Sequence, residues 1–325
     1  MKILFAGSPA IAVPSLEALC NIEGVHLAGV LTNPDSAKGR KSFLQQTEIS
    51  EAAGGLQNKF SFPVFKPEKL DAVFREEIKS LGCDLLVSFA YGKIFGPKFL
   101  SLFRLGGINI HPSLLPKYRG PSPIQAAILN RDKVTGISIQ TLAEKMDSGD
   151  VYVSEELQLT GDETADTLAD TVSKKAALML PGVIKNIMEG KSAPAAQDHT
   201  LASFCKLITR DDGIIDWSKS AAEIEASVRA FTPWPLCRTF HKTRELFLLR
   251  TALYNGDFKQ IPEKGAGYVL GIDKQYGILI QTGEGILAVT ELQYQAKKAL
   301  FWRDFLNGAR DFTGVKFDKR GNYGI

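Results

Sequence analysis

Short apolar runs alternate with longer amphipathic segments through the first half of the chain. Runs of four to eight apolar residues are typical of buried strands, and apolar residues three and four apart are typical of helices. The strands predicted in this way are Lys2–Ala6, His26–Leu31, Phe62–Phe65, Asp84–Ala90, Gly107–His111, Gly136–Leu142 and Val151–Leu157. The predicted helices are Ile11–Cys20, Leu70–Leu81, Pro123–Asn130 and a long helix after the candidate cap Thr160–Glu163. This alternation predicts an α/β fold with a Rossmann-like, mostly parallel sheet.

The pattern changes after about residue 190. Small polar residues and chain breakers from 190 to 207 are typical of a linker. The later strand candidates are Thr239–Leu249, Gly267–Ile272, Gly277–Gln281 and Ile286–Glu291, and the helix candidates are Glu223–Ala230 and Trp302–Asn307. We therefore expect a catalytic domain over 1–189, a linker over 190–207, and a smaller OB-like β-barrel domain over 208–325.

The composition is that of a globular enzyme. Of 325 residues, 44% are hydrophobic and 23% are charged, which suffices for a packed core. No apolar run is as long as a membrane span, so we expect a cytoplasmic monomer with no membrane partner. The four cysteines are scattered, without a Cys-x-x-Cys pair or a Cys/His cluster, and nothing in the sequence argues for a metal. The turn after the first strand lacks the Gly-x-Gly-x-x-Gly fingerprint, which disfavours a nicotinamide dehydrogenase.

The charge is unevenly distributed between the two parts of the chain. Residues 206–325 hold 18 Lys and Arg against 14 Asp and Glu, whereas residues 1–205 hold 21 against 22. A basic second domain permits a polyanionic partner without requiring one.

Three polar side chains point to a reaction centre. Asn109 and His111 are two residues apart at the end of a predicted strand, so they share one face of it. Asp147 lies in an acidic turn after the next apolar run. Because open α/β sheets bind ligands at the carboxyl ends of their strands, we expect these residues to converge there. Together they could polarise a carbonyl, move a proton and hold the charge of an imidazole.

These residues and their surroundings resemble the folate-dependent formyltransferases. The shared motif consists of the Asn-x-His pair at 109–111, the Ser-Leu-Leu-Pro loop at 113–116 and the acidic turn at 147–150. The segments 208–218, 229–235 and 292–308 resemble the carboxyl-terminal domain of the family members that formylate tRNA. The resemblance covers nearly the whole chain.

The resemblance implies an activity and its substrates. The expected enzyme moves the formyl group of 10-formyltetrahydrofolate, a cosubstrate, to the α-amino group of methionine on initiator methionyl-tRNA, for translation initiation. The expected catalytic residues are Asn109 and a protonated His111, which would stabilise the oxyanion, and Asp147, which would keep His111 charged and accept the proton of the amine.

The resemblance also implies binding residues. The folate site would comprise Phe89, Ala90, Tyr91, Ile94, Ser113, Leu114, Leu115 and Pro116. A basic loop after the second strand would contact tRNA through Lys38, Arg40 and Lys41. After Lys41 the basic run is shorter than is usual in the family.

Two alternatives stay open at this point. The chain could formylate another amine, such as an aminosugar nucleotide or glycinamide ribonucleotide, although the glycinamide enzyme is a single domain. It could instead be a non-catalytic RNA-binding protein that retains the fold as a scaffold. Intact Asn109, His111 and Asp147 argue against the second alternative, since a pure binder has no use for them.

Overall fold

The chain folds as two compact units. The computed structural model describes residues 1–38, 43–191, 193–257, 264–309 and 311–317. Unit 1 consists of Met1–Pro123, Val134–Gln158 and Leu168–Lys206, and unit 2 consists of Ile124–Lys133, Leu159–Thr167 and Leu207–Ile325.

A seven-stranded sheet forms the centre of unit 1. Its strands are β1 (Lys2–Gly7), β2 (His26–Leu31), β5 (Val64–Phe65), β6 (Leu85–Phe89), β7 (Gly107–His111), β8 (Val134–Thr141) and β9 (Val151–Gln158). They lie in the order β5-β2-β1-β6-β7-β8-β9, and the first five are parallel whereas β8 and β9 run antiparallel. The strand order reverses between β1 and β6, so the carboxyl ends of β1, β6 and β7 border a crevice of the kind that binds ligands in such sheets.

A short hairpin and several helices complete the elements before residue 189. The hairpin strands are β3 (Ser36–Lys38) and β4 (Phe43–Gln45). The helices are α1 (Val13–Cys20), α2 (Glu48–Leu56), α3 (Ala72–Ser80), α4 (Pro97–Leu100), α5 (Pro123–Leu129) and α6 (Ala165–Met188). Side-chain caps define two helix starts, because Thr47 accepts from the backbone N–H of Ser50 and Asp71 from that of Phe74.

An antiparallel sheet forms the centre of unit 2. Its strands are β10 (Cys237–His241), β11 (Arg244–Leu253), β12 (Val269–Asp273), β13 (Gly277–Gln281), β14 (Ile286–Tyr294) and β15 (Leu300–Phe301). The path is β10-β11-β14-β13-β12, with β15 paired to β14. Helix α7 (Ala221–Ala230) packs on β11 and β14, and α8 (Trp302–Asn307) packs on β14. A reciprocal capping box of Ser220 and Glu223 starts α7.

The fold class predicted from the sequence is confirmed: a mostly parallel α/β sheet is followed by an antiparallel β domain. The single strand predicted over Thr239–Leu249 is wrong, because Lys242 and Thr243 form a turn that divides it into β10 and β11. The hairpin β3–β4 and the helices α2 and α4 had no counterpart in the prediction. The domain boundaries 1–189 and 208–325 stay predictions.

Candidate active site

Strand β7 places Asn109 and His111 on one face at the carboxyl edge of the sheet. In the register, Asn109 lies between Ser88 of β6 and Gln140 of β8. The intervening residue Ile110 is buried on the opposite face. The Asn109 side chain is half-buried, and among the described residues its amide has no hydrogen-bond partner. It is therefore free to bind a substrate.

His111 is held by its backbone surroundings. Its side chain is 5% exposed, and Nε2 lies 2.9 Å from the carbonyl oxygen of Tyr118. Because a carbonyl oxygen only accepts, Nε2 carries the proton and Nδ1 of the neutral ring has a free lone pair. That Nδ1 lies 3.6 Å from Oδ1 of Asp147, which is longer than a direct hydrogen bond.

The carboxylate of Asp147 is fixed at both oxygens. Oδ2 accepts the backbone N–H of Gly120 at 2.8 Å, and Oδ1 accepts Nε2 of Gln140 at 3.0 Å. Asp147 has a φ of +51°, in the left-handed region. A turn of this shape needs a close approach at Gly149, where an added Cβ would lie 1.9 Å from the carbonyl oxygen of Thr141. The tight turn thus aims Asp147 at His111.

Burial sets the charge of His111. It lowers the pKa of His111 below its ordinary value of 6.5, while the Asp147 carboxylate and the Tyr118 carbonyl act in the opposite direction. The imidazole is therefore neutral near pH 7 in the protein at rest. The expectation of a permanently protonated His111 is wrong for this state, because the cost of removing the charge from water exceeds the attraction of Asp147.

The predicted folate loop 113–116 follows β7 directly. Ser113 is buried, and its hydroxyl donates to the carbonyl of Lys117 at 2.5 Å, while its own carbonyl accepts the Ser138 hydroxyl at 2.8 Å. The Ser138 hydroxyl also accepts the backbone N–H of Leu115 at 3.1 Å. Leu114, Leu115 and Pro116 are half-buried. The loop is rigid and lies beside His111.

The second predicted folate segment, 89–94, follows β6 at the same edge of the sheet. Phe89 is buried, and Ala90 is exposed with a φ of +51°. Tyr91 belongs to the core: its ring stacks on Phe95 at 5.2 Å, and burial raises the pKa of its phenol to about 12. Ile94 is 75% exposed. Contact of these residues with folate stays a prediction.

Sequence reasoning missed three buried polar side chains behind the site, namely Gln140, Arg119 and Gln197. Gln140 could have been found, because it and Ser138 are polar residues two apart in an otherwise apolar run. Arg119 and Gln197 carry no such signal. Gln197 lies in the segment predicted as a linker, yet it is buried and hydrogen-bonded within unit 1.

The predicted tRNA-binding residues fall at the hairpin β3–β4. Lys38 ends β3, while Arg40 and Lys41 lie outside the described residues. Within the described ranges, no cluster of three or more His, Cys, Asp or Glu side chains could hold a metal. In the same part of the chain, no helix is long and apolar enough to span a bilayer.

Comparison with known proteins defines the class. Residues 1–184 match the family of formyl transferases, and residues 207–310 match the formyl transferase C-terminal domain. The chain belongs to the formyl transferase family. Its relatives include the methionyl-tRNA formyltransferase of Treponema denticola, which is 46% identical over 98% of this chain and 100% of the relative. The Treponema pallidum protein of the same name is 42% identical over 95% of this chain and 97% of the relative.

A solved structure shares the fold. The N-formyltransferase of Helicobacter canadensis, solved with folinic acid and dTDP-3-aminofucose, superposes with a TM-score of 0.64 at 19% identity. The match covers 89% of this chain and 98% of that one. The likeness supports the arrangement of both domains.

Proposed function

We propose that the protein transfers the formyl group of 10-formyltetrahydrofolate to the α-amino group of methionine esterified to initiator tRNA. The observation that carries this proposal is the likeness, along nearly the full chain, to methionyl-tRNA formyltransferases at up to 46% identity. The site supports it, because a free amide at Asn109 lies on the same strand as His111, which faces Asp147.

The proposed chemistry requires an oxyanion donor and a proton acceptor. Attack by the amine on the formyl carbon places negative charge on the formyl oxygen. The Asn109 amide is the group in this site with free N–H donors, and loss of one such donor commonly lowers kcat by about 10²–10³.

The neutral His111 suits the role of proton acceptor. Its Nδ1 and Oδ1 of Asp147 are two acceptors 3.6 Å apart, which can receive the proton of the amine directly or through water. Once protonated, His111 would be stabilised by the Asp147 carboxylate on one side and the Tyr118 carbonyl on the other. The charge of the imidazole would then arise during the reaction and would be lost when it ends.

Residues 113–116 and 89–94 would bind the folate, and the hairpin β3–β4 and the basic carboxyl-terminal domain would bind tRNA. These assignments rest on position at the carboxyl edge of the sheet, on charge and on family likeness. The free Asn109 amide argues against a non-catalytic binder. The match of residues 207–310 to a second domain argues against the single-domain glycinamide enzyme.

The proposal is tested by an acceptor panel. The purified protein is given 10-formyltetrahydrofolate with a labelled formyl carbon and one of four amines: methionyl-tRNA, free methionine, an aminosugar nucleotide or glycinamide ribonucleotide. We expect a much higher kcat/KM for methionyl-tRNA than for the others. A preference for the aminosugar nucleotide would overturn the choice of substrate. Tight tRNA binding with no transfer to any amine would favour the non-catalytic alternative.

A further inference from the structure

Gln197 fastens the turn that carries Asp147. Its Nε2 lies 2.6 Å from the carbonyl oxygen of Gly149 and 3.0 Å from that of Asp147, and it also lies 3.2 Å from Oε1 of Gln140. An amide nitrogen has two hydrogens, so at least one of them is shared between acceptors. All of these contacts span about 50 residues of sequence and hold the turn from behind.

Gln197 also orients the amide of Gln140. Because Oε1 of Gln140 accepts from Gln197, its Nε2 is directed to the Asp147 carboxylate, at 3.0 Å from Oδ1. The opposite orientation would bring an amide oxygen against a carboxylate oxygen, which repel each other. The direction of one amide therefore determines the direction of the next.

Arg119 determines the orientation of Gln197 in turn. The guanidinium, in a residue that is 5% exposed, donates to Oε1 of Gln197 from Nη2 at 2.6 Å and from Nε at 3.2 Å. Nη2 also lies 2.8 Å from Nδ1 of His199. Since a guanidinium has only donors, the oxygen of Gln197 must face Arg119 and its nitrogen must face the turn. The next residue, Gly120, donates its backbone N–H to Oδ2 of Asp147 at 2.8 Å.

We propose that Gln197 and Arg119 are positioning residues for the reaction: through Gln140 and the backbone of the turn, they hold the Asp147 carboxylate toward His111. This inference rests on the proposed function, because it assigns a task to Asp147. It extends the site to a segment whose composition is that of a linker. The reacting groups touch neither residue, so both act only through Asp147.

Two variants of Gln197 separate this role from a structural one. Gln197→Glu keeps an acceptor for Arg119 but removes the N–H donors to Asp147, Gly149 and Gln140. Gln197→Leu removes both sets of contacts. If Gln197 only satisfied the buried guanidinium, the glutamate variant would retain activity. If it positions Asp147, both variants lose activity, while the glutamate variant keeps its fold through the pair with Arg119.

The experiment measures kcat, KM for methionyl-tRNA and for 10-formyltetrahydrofolate, and melting temperature. For Gln197→Glu we expect a melting temperature near that of the wild type, nearly unchanged KM values and a kcat lower by about 10², the effect of a small misplacement of a reacting group. The matched control is Gln57→Leu, which removes one amide donor to a backbone carbonyl, that of Phe62 at 2.7 Å, far along the chain from the site. Its kcat should equal that of the wild type.

A double variant tests the connection through Gln140. Because both side chains act on one carboxylate, Gln140→Leu combined with Gln197→Glu should lower kcat little more than the stronger single change. Folded Gln197→Glu with wild-type kcat, or losses that multiply in the double variant, would overturn the inference. Absence of formyl transfer by the wild type would overturn the proposed function and this inference with it.

Discussion

At the scale of single residues, Asp147 is the point at which the hydrogen bonds of the site converge. It receives N–H groups from Gly120 and Gln140 at its two oxygens and faces Nδ1 of the buried His111. The pair is poised for one proton, because Nδ1 and the carboxylate are both acceptors. Burial keeps that proton away from His111 until the reaction supplies it.

The depressed pKa of His111 predicts a loss of stability in weak acid. In the unfolded chain His111 titrates near 6.5, and in the folded protein it titrates lower because it is buried. Between these two pKa values the unfolded state binds more protons, so the free energy of unfolding falls as the pH drops through 6.5 and levels off below the folded pKa. Urea titrations at a series of pH values should show this fall in the wild type.

The His111→Gln variant should show a smaller fall over the same pH range. His241, whose pKa burial also lowers, contributes with the same sign in both proteins and cancels in the difference. His26→Gln, at an exposed histidine, is the matched control. Identical pH dependence of the wild type and His111→Gln would contradict the claim that burial lowers the pKa of His111.

The sequence predicts some of these residues and not others, for a physical reason. Asn109 and His111 are two apart in a strand, so the strand period alone puts them on one face. Asp147 was found because a turn follows a strand. Arg119 and Gln197 meet across 78 residues, and neither has a local pattern that requires a partner. Contacts of that kind depend on how the segments pack after the strands have formed.

At the scale of elements, the turn after β8 works as a rigid mount for Asp147. The backbone N–H of Thr141 donates to the carbonyl of Asp150 at 2.8 Å, which closes the turn. Gly149 lies against the carbonyl of Thr141, and Gln197 holds the turn from outside. The position of Asp147 therefore depends on a backbone shape that tolerates no side chain at 149.

Gly149→Ala should destabilise the protein and lower turnover. The new Cβ would lie 1.9 Å from a backbone oxygen, so the turn must move. We expect a cost of about 1–3 kcal/mol in the free energy of unfolding, as for other overpacked sites, and a fall in kcat in the protein that remains folded. Denaturant titration and steady-state kinetics check both effects.

The matched control for this change is Gly55→Ala, within helix α2. A Cβ there meets nothing within 4 Å, and alanine favours helix over glycine by about 0.5–1 kcal/mol. Gly55→Ala should therefore stabilise the fold without changing kcat. Full activity and stability in Gly149→Ala would contradict the rigid-mount account.

The hairpin β3–β4 presents the basic loop that the family likeness assigns to tRNA. The triple change of Lys38, Arg40 and Lys41 to alanine should raise KM for methionyl-tRNA and leave KM for the folate unchanged. Each lost phosphate contact releases fewer counterions, so the salt dependence of tRNA binding should become shallower by roughly 0.7–0.9 per contact in a log–log plot. An unchanged slope would mean that the loop is only solvated surface.

Two element-level differences have clear causes. The turn between β10 and β11 contains Lys242 with a φ of +59°, where a glycine or asparagine would have marked a hairpin, so the sequence resembles one long strand. Helix α2 went unpredicted because Gly54 and Gly55 lower its helix propensity and its buried face rests chiefly on Ile49 and Ala53. Tertiary packing, together with the Thr47 cap, stabilises it.

At the scale of the whole molecule, Asn109, His111 and Asp147 all lie in unit 1, as do Arg119, Gln140 and Gln197 behind them. Residues 206–325, which include most of unit 2, hold 18 basic against 14 acidic side chains. This division suits an enzyme in which the α/β unit performs the chemistry and the basic unit binds a long polyanion. The alternating pattern predicted this division of fold classes, because each class has its own period of apolar residues.

The central claim is that Asn109, His111 and Asp147 perform the chemical step of formyl transfer to methionyl-tRNA. The most direct test is the single-turnover rate of that transfer, with enzyme in excess over both substrates, for the wild type and for Asp147→Asn. Asp170→Asn, which removes an exposed carboxylate of α6 paired with Lys174, is the matched control.

We expect Asp147→Asn to slow the single-turnover rate by about 10² or more, the range for loss of a general base. The affinities for tRNA and folate and the melting temperature should stay near those of the wild type and of Asp170→Asn. A folded Asp147→Asn protein that transfers the formyl group at the wild-type rate would contradict the account.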